Sequence, residues 1–174
     1  MSLRYSIFAA LFTALYIAGT FVRIPVGPVP IVLTNMFIFL GGLVLPLPWA
    51  AASVLLYLLL GTAGLPVFSG GGGPAYFAGP TGGYLIGYLA AVCAVSLVSR
   101  IGKRKLPVII ISLAVGIIII YALGLPWLKF KLDLSWRKAL PAGLLPFIPG
   151  DVIKAAAAFG AFIIYRRVAS HAAS

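Results

Sequence analysis

The sequence predicts an all-α integral membrane protein of six transmembrane helices, with an apolar, Gly-rich loop roofing a ligand pocket. Three observations predict it: the composition, a series of apolar runs broken by Pro/Gly or basic clusters, and one long glycine-rich segment that carries no charge. Of the 174 residues, 63% are hydrophobic and 9% are charged, and the mean hydropathy is +1.16. A single water-soluble domain of that length has too little interior to hide so much apolar surface, so the solvent implied is lipid. The whole chain, 1–174, reads as one transmembrane domain.

Thirteen basic residues stand against two acidic ones, a formal charge of +11. In a soluble protein this would suggest nucleic acid. Here most of the basic residues flank apolar runs, which is the pattern of membrane-edge anchoring and argues against a nucleic-acid partner. Cys93 is the single cysteine and lies inside an apolar run. No intrachain disulfide and no cysteine-built metal cluster can follow from it.

Residues 5–22 form the first helix, closed by Arg23, Pro25, Gly27, Pro28 and Pro30, which together cannot continue one. Arg4 ahead of this run and the small residues Ala14, Ala18 and Gly19 resemble a secretory signal, but the rest of the chain is equally apolar, so we read a retained helix. Residues 34–45 are apolar yet short for a crossing; Pro46 and Pro48 join them tightly to 49–60, giving a helical hairpin. From 61 to 83 the chain is rich in Gly, Pro and aromatics without a single charge. Non-helical backbone that stays apolar is tolerated near lipid only where protein covers it or where it borders a cavity, so this segment is expected to be a lid or pocket wall. Residues 84–99 and 106–123 form the fourth and fifth helices, separated by Arg100, Lys103, Arg104 and Lys105. Residues 124–145, with Trp127, Trp136 and both signs of charge, suit an amphipathic segment at the interface. The sixth helix is 147–168, ending at Arg166 and Arg167, with His171 in a polar tail beyond it.

Six crossings put both termini on one side. The positive-inside rule places Arg4, the 100–105 loop and Arg166 in the cytoplasm.

Asp151 and Lys154, three residues apart near the start of the sixth helix, share one helix face. Charges within a membrane helix are costly, so they usually face a cavity or a partner; a structural ion pair with capping by Asp151 is the alternative. Pro149 and Gly150 precede them, and the expected abrupt helix start offers unpaired N–H groups to a ligand carboxylate beside Lys154. An ionised Asp151 only accepts hydrogen bonds, so the ligand should also carry N–H donors. Asn35 either binds the ligand through its amide or caps the second helix. Gly70 to Gly73 lack the Gly-Lys-Ser/Thr that would make a phosphate cradle, so nucleotide binding is not expected. Two small-residue stripes, Ala10, Ala14 and Ala18 on the first helix and Gly79, Gly83 and Gly87 at the fourth, mark close helix packing, either internal or against a partner. No cluster with metal-ligand spacing is present, and Asp151 is the one plausible general acid or base, without the second positioned group that catalysis needs.

The stretch 55–73, LLYLLLGTAGLPVFSGGGG, followed at 78–88 by AGPTGGYLIGY and at 149–154 by PGDVIK, closely resembles the BioY family of biotin transporters. The resemblance implies the S component of an energy-coupling factor (ECF) transporter in the plasma membrane. Such a subunit is not an enzyme and has no cofactor; it binds biotin from outside and works with a T component and two ATPases. It further implies that Lys154 meets the biotin carboxylate, Asp151 and Asn35 the ureido ring, and Phe68, Tyr76 and Tyr84 the apolar body, with Gly82 and Gly83 allowing close backbone approach. Ala10, Ala14 and Ala18 would face the T component. The segment 29–35, VPIVLTN, departs from the family's Thr-Gln at this point, so the shorter Asn35 reaches less far. The rival readings are an S component for thiamine or riboflavin, an intramembrane enzyme using Asp151, and an assembly protein without a ligand.

Overall fold

The computed structural model describes residues 2–171, and eight helices and one two-stranded hairpin make up its elements. In chain order they are α1 (Ser2–Phe21), β1 (Arg23–Ile24), β2 (Ile31–Val32), α2 (Thr34–Val44), α3 (Leu47–Thr62), α4 (Pro74–Phe77), α5 (Gly82–Ile101), α6 (Leu106–Lys131), α7 (Trp136–Gly143) and α8 (Ile148–His171). Four of these, α1, α5, α6 and α8, are long and apolar enough to cross a membrane, while α2 and α3 are shorter apolar helices. At 1.5 Å per residue α2 is about 16 Å long and α6 about 39 Å, against a hydrocarbon core of roughly 30 Å. The short α2 is tolerated because it sits inside: it packs on α1, α5 and α8, and Ile38, Phe39 and Leu43 along it are wholly buried. Backbone ends that would starve for partners in lipid are thus covered by protein.

Polar side chains fasten the first three helices together. Thr13 Oγ1 donates to the Ser53 carbonyl at 2.8 Å, the Tyr16 hydroxyl meets Ser53 Oγ at 3.1 Å, and Thr20 Oγ1 meets Thr34 Oγ1 at 2.9 Å and the Tyr57 hydroxyl at 3.2 Å. Lipid tails compete with apolar side chains for helix surfaces, so in this solvent hydrogen bonds and close packing carry much of helix association.

The α5–α6 pair is the most extensively packed contact. Its closeness rests on Gly83 and Gly87. A Cβ at Gly83 would run into the Trp127 side chain and the Leu123 carbonyl, and one at Gly87 would sit 3.0 Å from the Ile120 backbone. Gly79 lies outside α5, in the preceding turn, where its carbonyl accepts from Trp127 Nε1 at 2.8 Å. The glycine stripe is therefore internal packing. Gly83→Val is expected to force the two helices apart and to lower stability by about 1–3 kcal/mol or more; thermal melting in detergent checks it, and an unchanged melting temperature counts against this packing role.

Three expectations need correction. The fifth helix does not stop near residue 123 but runs through Pro126 to Lys131, held by buried Leu125 and Leu128 and by the Trp127 bond to Gly79. The interfacial segment is accordingly only α7, which buries Ala139 and Gly143 and exposes Trp136, Arg137 and Lys138. The last helix extends through His171, which the sequence placed in a tail.

The segment between α3 and α5 is irregular apart from α4 and a bridge between Phe68 and Gly71. Gly71 and Gly73 have φ of 142° and 93°, a region closed to most side chains. Phe68 lies on Gly61, where a Cβ would strike its ring. The glycines thus serve backbone geometry and ring seating.

Candidate functional site: a buried carboxylate beside an aromatic wall

Asp151 sits in the first turn of α8 and is 2% exposed. Its carboxylate gathers three helices. Lys154 Nζ donates to Oδ1 at 2.8 Å from one turn along α8, Asn35 Nδ2 of α2 lies 3.1 Å from both oxygens, and the Tyr121 hydroxyl of α6 donates to Oδ2 at 2.5 Å. Lys154 and Asn35 are each 8% exposed. A buried ion pair is tolerated only when its remaining hydrogen-bonding capacity is met, and here two neutral donors meet it.

Asn35 differs from Asp151 in one respect. Its amide nitrogen is oriented by the carboxylate, which turns the carbonyl away, and the buried Oδ1 has no partner among the described residues. Such an acceptor costs about 1–3 kcal/mol unless an N–H or O–H reaches it. Asn35 does not cap α2; that helix has no side-chain cap hydrogen bond.

These groups border a cavity of about 50 Å³, room for a few water molecules. Phe68, Tyr76 and Tyr84 line it too. Phe68 and Tyr76 are stacked at 5.4 Å, Tyr57 meets Phe68 edge-on at 5.4 Å, and the Tyr76 hydroxyl bonds Ser69 at 2.9 Å. Tyr84 donates to the Gly143 carbonyl at 2.8 Å, tying α5 to α7. Pro30, Ser69, Tyr76 and Thr81 also border a groove of about 530 Å³ between the β1–β2 turn and the segment carrying Ser69 and Tyr76.

Six of the eight residues expected from the sequence therefore meet at one cavity: Asn35, Phe68, Tyr76, Tyr84, Asp151 and Lys154. Gly82 and Gly83 do not border it. A Cβ at Gly82 would strike the Phe77 carbonyl, and Gly83 faces Trp127, so both serve packing of the chain on itself. The abrupt helix start is also corrected: α8 begins at Ile148, and the Asp151 N–H is spent on the Phe147 carbonyl at 2.9 Å. The anion-binding capacity of the site is thus the Lys154 ammonium. Tyr121 was missed; its one signal is a phenol in a helix otherwise almost without polar side chains. Ala10, Ala14 and Ala18 lie away from the cavity, exposed on the outer face of α1.

The model of the BioY family matches residues 1–171. The chain belongs to the BioY family. Among curated members it is 40% identical over 153 residues to the biotin transporter BioY of Thermotoga maritima, covering 87% of this chain and 89% of that one. It is 38% identical over 170 residues to the biotin transporter BioY of Rhizobium etli, covering 91% and 90%. The fold is shared with a crystal structure of the S-component for biotin from an ECF-type ABC transporter, at a TM-score of 0.88 and 34% identity, covering 95% of this chain and 92% of that one. These BioY relatives are named as transporters, not enzymes. This BioY chain is accordingly a multi-pass membrane protein of the same fold.

Proposed function

We propose that this chain is a biotin-binding S component. It captures biotin on the outer face of the plasma membrane and delivers it inward when an ECF module of one T component and two ATPases reorients it. In this reading all six apolar helices span or fill the bilayer and both termini are cytoplasmic. The observation that carries it is the combination of an unpartnered Asn35 carbonyl, an anchored Asp151 and a buried Lys154 ammonium at one cavity.

Biotin presents two ureido N–H donors, one ureido carbonyl, an apolar fused ring and a carboxylate. An N–H donated to Asn35 Oδ1 satisfies its orphaned acceptor, and the second N–H turns to Asp151. The ureido carbonyl accepts from the Tyr121 or Asn35 donors released by that turn. Phe68, Tyr76 and Tyr84 enclose the ring, and Lys154 faces the carboxylate. The fused ring and its acid arm need several times the present cavity, so the stacked Phe68–Tyr76 pair must part to admit them. Ala10, Ala14 and Ala18, exposed at four-residue spacing, give the T component a smooth surface.

Calorimetry on purified protein with biotin, thiamine and riboflavin tests the cargo, and biotin alone should bind. Lys154→Ala is expected to weaken biotin binding at least tenfold, about 1.4 kcal/mol. Tight binding of another vitamin in place of biotin, or unaltered affinity in that variant, would sink this reading.

A further inference from the structure

At the end of the bundle opposite the carboxylate cluster lies a second cavity, of about 140 Å³, bordered by Arg4, Tyr5, Pro46, Arg100, Arg104 and Tyr165. Three guanidinium groups around one small void are costly unless an anion joins them. Neither of the chain's two carboxylate side chains, Asp133 and Asp151, is at this end: Asp133 follows the far end of α6, and Asp151 is spent on Lys154. Arg166, Arg167, Lys103 and Lys105 add further positive charge nearby.

Two of the three arginines, Arg100 and Arg104, are held in place before any ligand arrives. Arg100 Nη2 donates to the Val44 carbonyl at 3.3 Å and its Nε to Ser96 Oγ at 3.2 Å, while Arg104 Nη2 donates to the Leu43 carbonyl at 2.9 Å. The turn that brings Arg104 back over the cavity uses two consecutive non-glycine residues at positive φ, Lys103 at 51° and Arg104 at 53°. Such a conformation persists only where the surroundings hold it. Arg104 Nε is buried and has no hydrogen-bond partner among the described residues, an unfilled donor on a cationic group.

The setting chooses among anions. Tyr5, stacked on Trp49 with ring centroids 6.4 Å apart, and Tyr165 give the rim an aromatic lining, the residue types that mark the level of lipid headgroups. Apolar Leu3 and Ile101, next in sequence to Arg4 and Arg100, lie exposed. The void is too small for a partner helix, about 10 Å across, and has the scale of a phosphate with its glycerol link. Planar guanidiniums match phosphate oxygens in pairs.

We propose that this cavity is a binding site for the phosphate of an anionic phospholipid headgroup. The site holds one lipid against the ends of α1, α2 and α5 and the α5–α6 turn.

Native mass spectrometry of the full-length protein, purified in detergent and offered phosphatidylglycerol or phosphatidylcholine, tests it. One phosphatidylglycerol should be retained in preference to phosphatidylcholine, and inorganic phosphate in excess should not displace it. Arg104→Gln and Arg4→Gln, which border the cavity, should each cut retention at least about fivefold, the worth of one cation beside an anionic headgroup, while Lys105→Gln on the same loop, which does not border it, should cut retention less than either. Arg4 serves as the second variant because its guanidinium lies over the Phe8 ring, whereas those of Arg100 and Arg104 hold the Val44 and Leu43 carbonyls. Equal retention of the zwitterionic lipid, full displacement by inorganic phosphate, or arginine variants that keep the lipid would each overturn the proposal. So would arginine variants that lose only ECF-module association, which would assign the cavity to a protein partner.

Discussion

Asp151→Ala is expected to abolish biotin retention, with affinity lower by at least a hundredfold, about 2.7 kcal/mol. The carboxylate is the one group that touches Lys154, Asn35 and Tyr121 together, and its loss acts on all three. Removing one partner of a buried ion pair costs about 3–5 kcal/mol, because the other charge stays buried and uncompensated. The Asn35 amide and the Tyr121 hydroxyl lose their acceptor at the same time and no longer hold a fixed direction. Isothermal calorimetry reads the affinity, and thermal melting should show a loss of stability in parallel. The double variant Asp151→Ala/Lys154→Ala separates the two effects. Without the stranded ammonium it should melt closer to wild type than Asp151→Ala does, yet still fail to bind. An Asp151→Ala protein that binds biotin within about threefold of wild type would leave the cluster a purely structural junction of α2, α6 and α8.

Ala14→Phe is expected to leave biotin binding within about twofold and to reduce ATP-driven uptake at least tenfold. Ala10, Ala14 and Ala18 line up on α1 and remain exposed, with Ile7, Leu11 and Leu15 beside them. The polar contacts of α1 run from its opposite side, through Thr13, Tyr16 and Thr20. A ring projecting from the alanine stripe therefore disturbs nothing within this chain but holds a partner helix away, which forfeits dispersion contacts that fall off steeply with separation. Uptake of labelled biotin in cells carrying the module, beside equilibrium binding on the purified subunit, makes the comparison. Wild-type uptake would remove the stripe from the docking surface, and equal damage to both readouts would mean misfolding.

Much of this was legible in the sequence, for physical reasons that differ from residue to residue. Asp151 and Lys154 stood out because ionised groups are expensive between apolar residues, so their presence demands a partner or a cargo. The charge-free segment around Gly70 stood out because irregular backbone needs cover in lipid. Asn35 was open to two roles, since an amide near a helix start can cap or bind. Only the approach of α8 to α2 decides that its nitrogen goes to Asp151. Tyr121 was hidden because a phenol carries no formal charge and suits an apolar helix as well as any aromatic residue. Gly82 and Gly83 misled because a missing side chain reports close approach without saying of what, and here the visitor is Phe77 or Trp127. The extension of α6 past Pro126 ran against propensity: an internal proline costs about 3 kcal/mol, and the anchoring of Trp127 across the interface is a tertiary effect that local sequence does not carry.

The threonine and tyrosine bonds that lace α1 to α2 and α3 bear on how a load on α1 is carried through the bundle. Because α1 is tied at Thr13, Tyr16 and Thr20, a push on its outward edge passes through those bonds to α3 and α2, and α2 packs in turn on α5 and α8. Asn35 belongs to α2, whereas Asp151 and Tyr121 belong to α8 and α6. On the proposed function, any shift of α2 against α8 acts on the Asn35–Asp151 hydrogen bonds, so a load applied to α1 has a short polar route to the proposed cargo site.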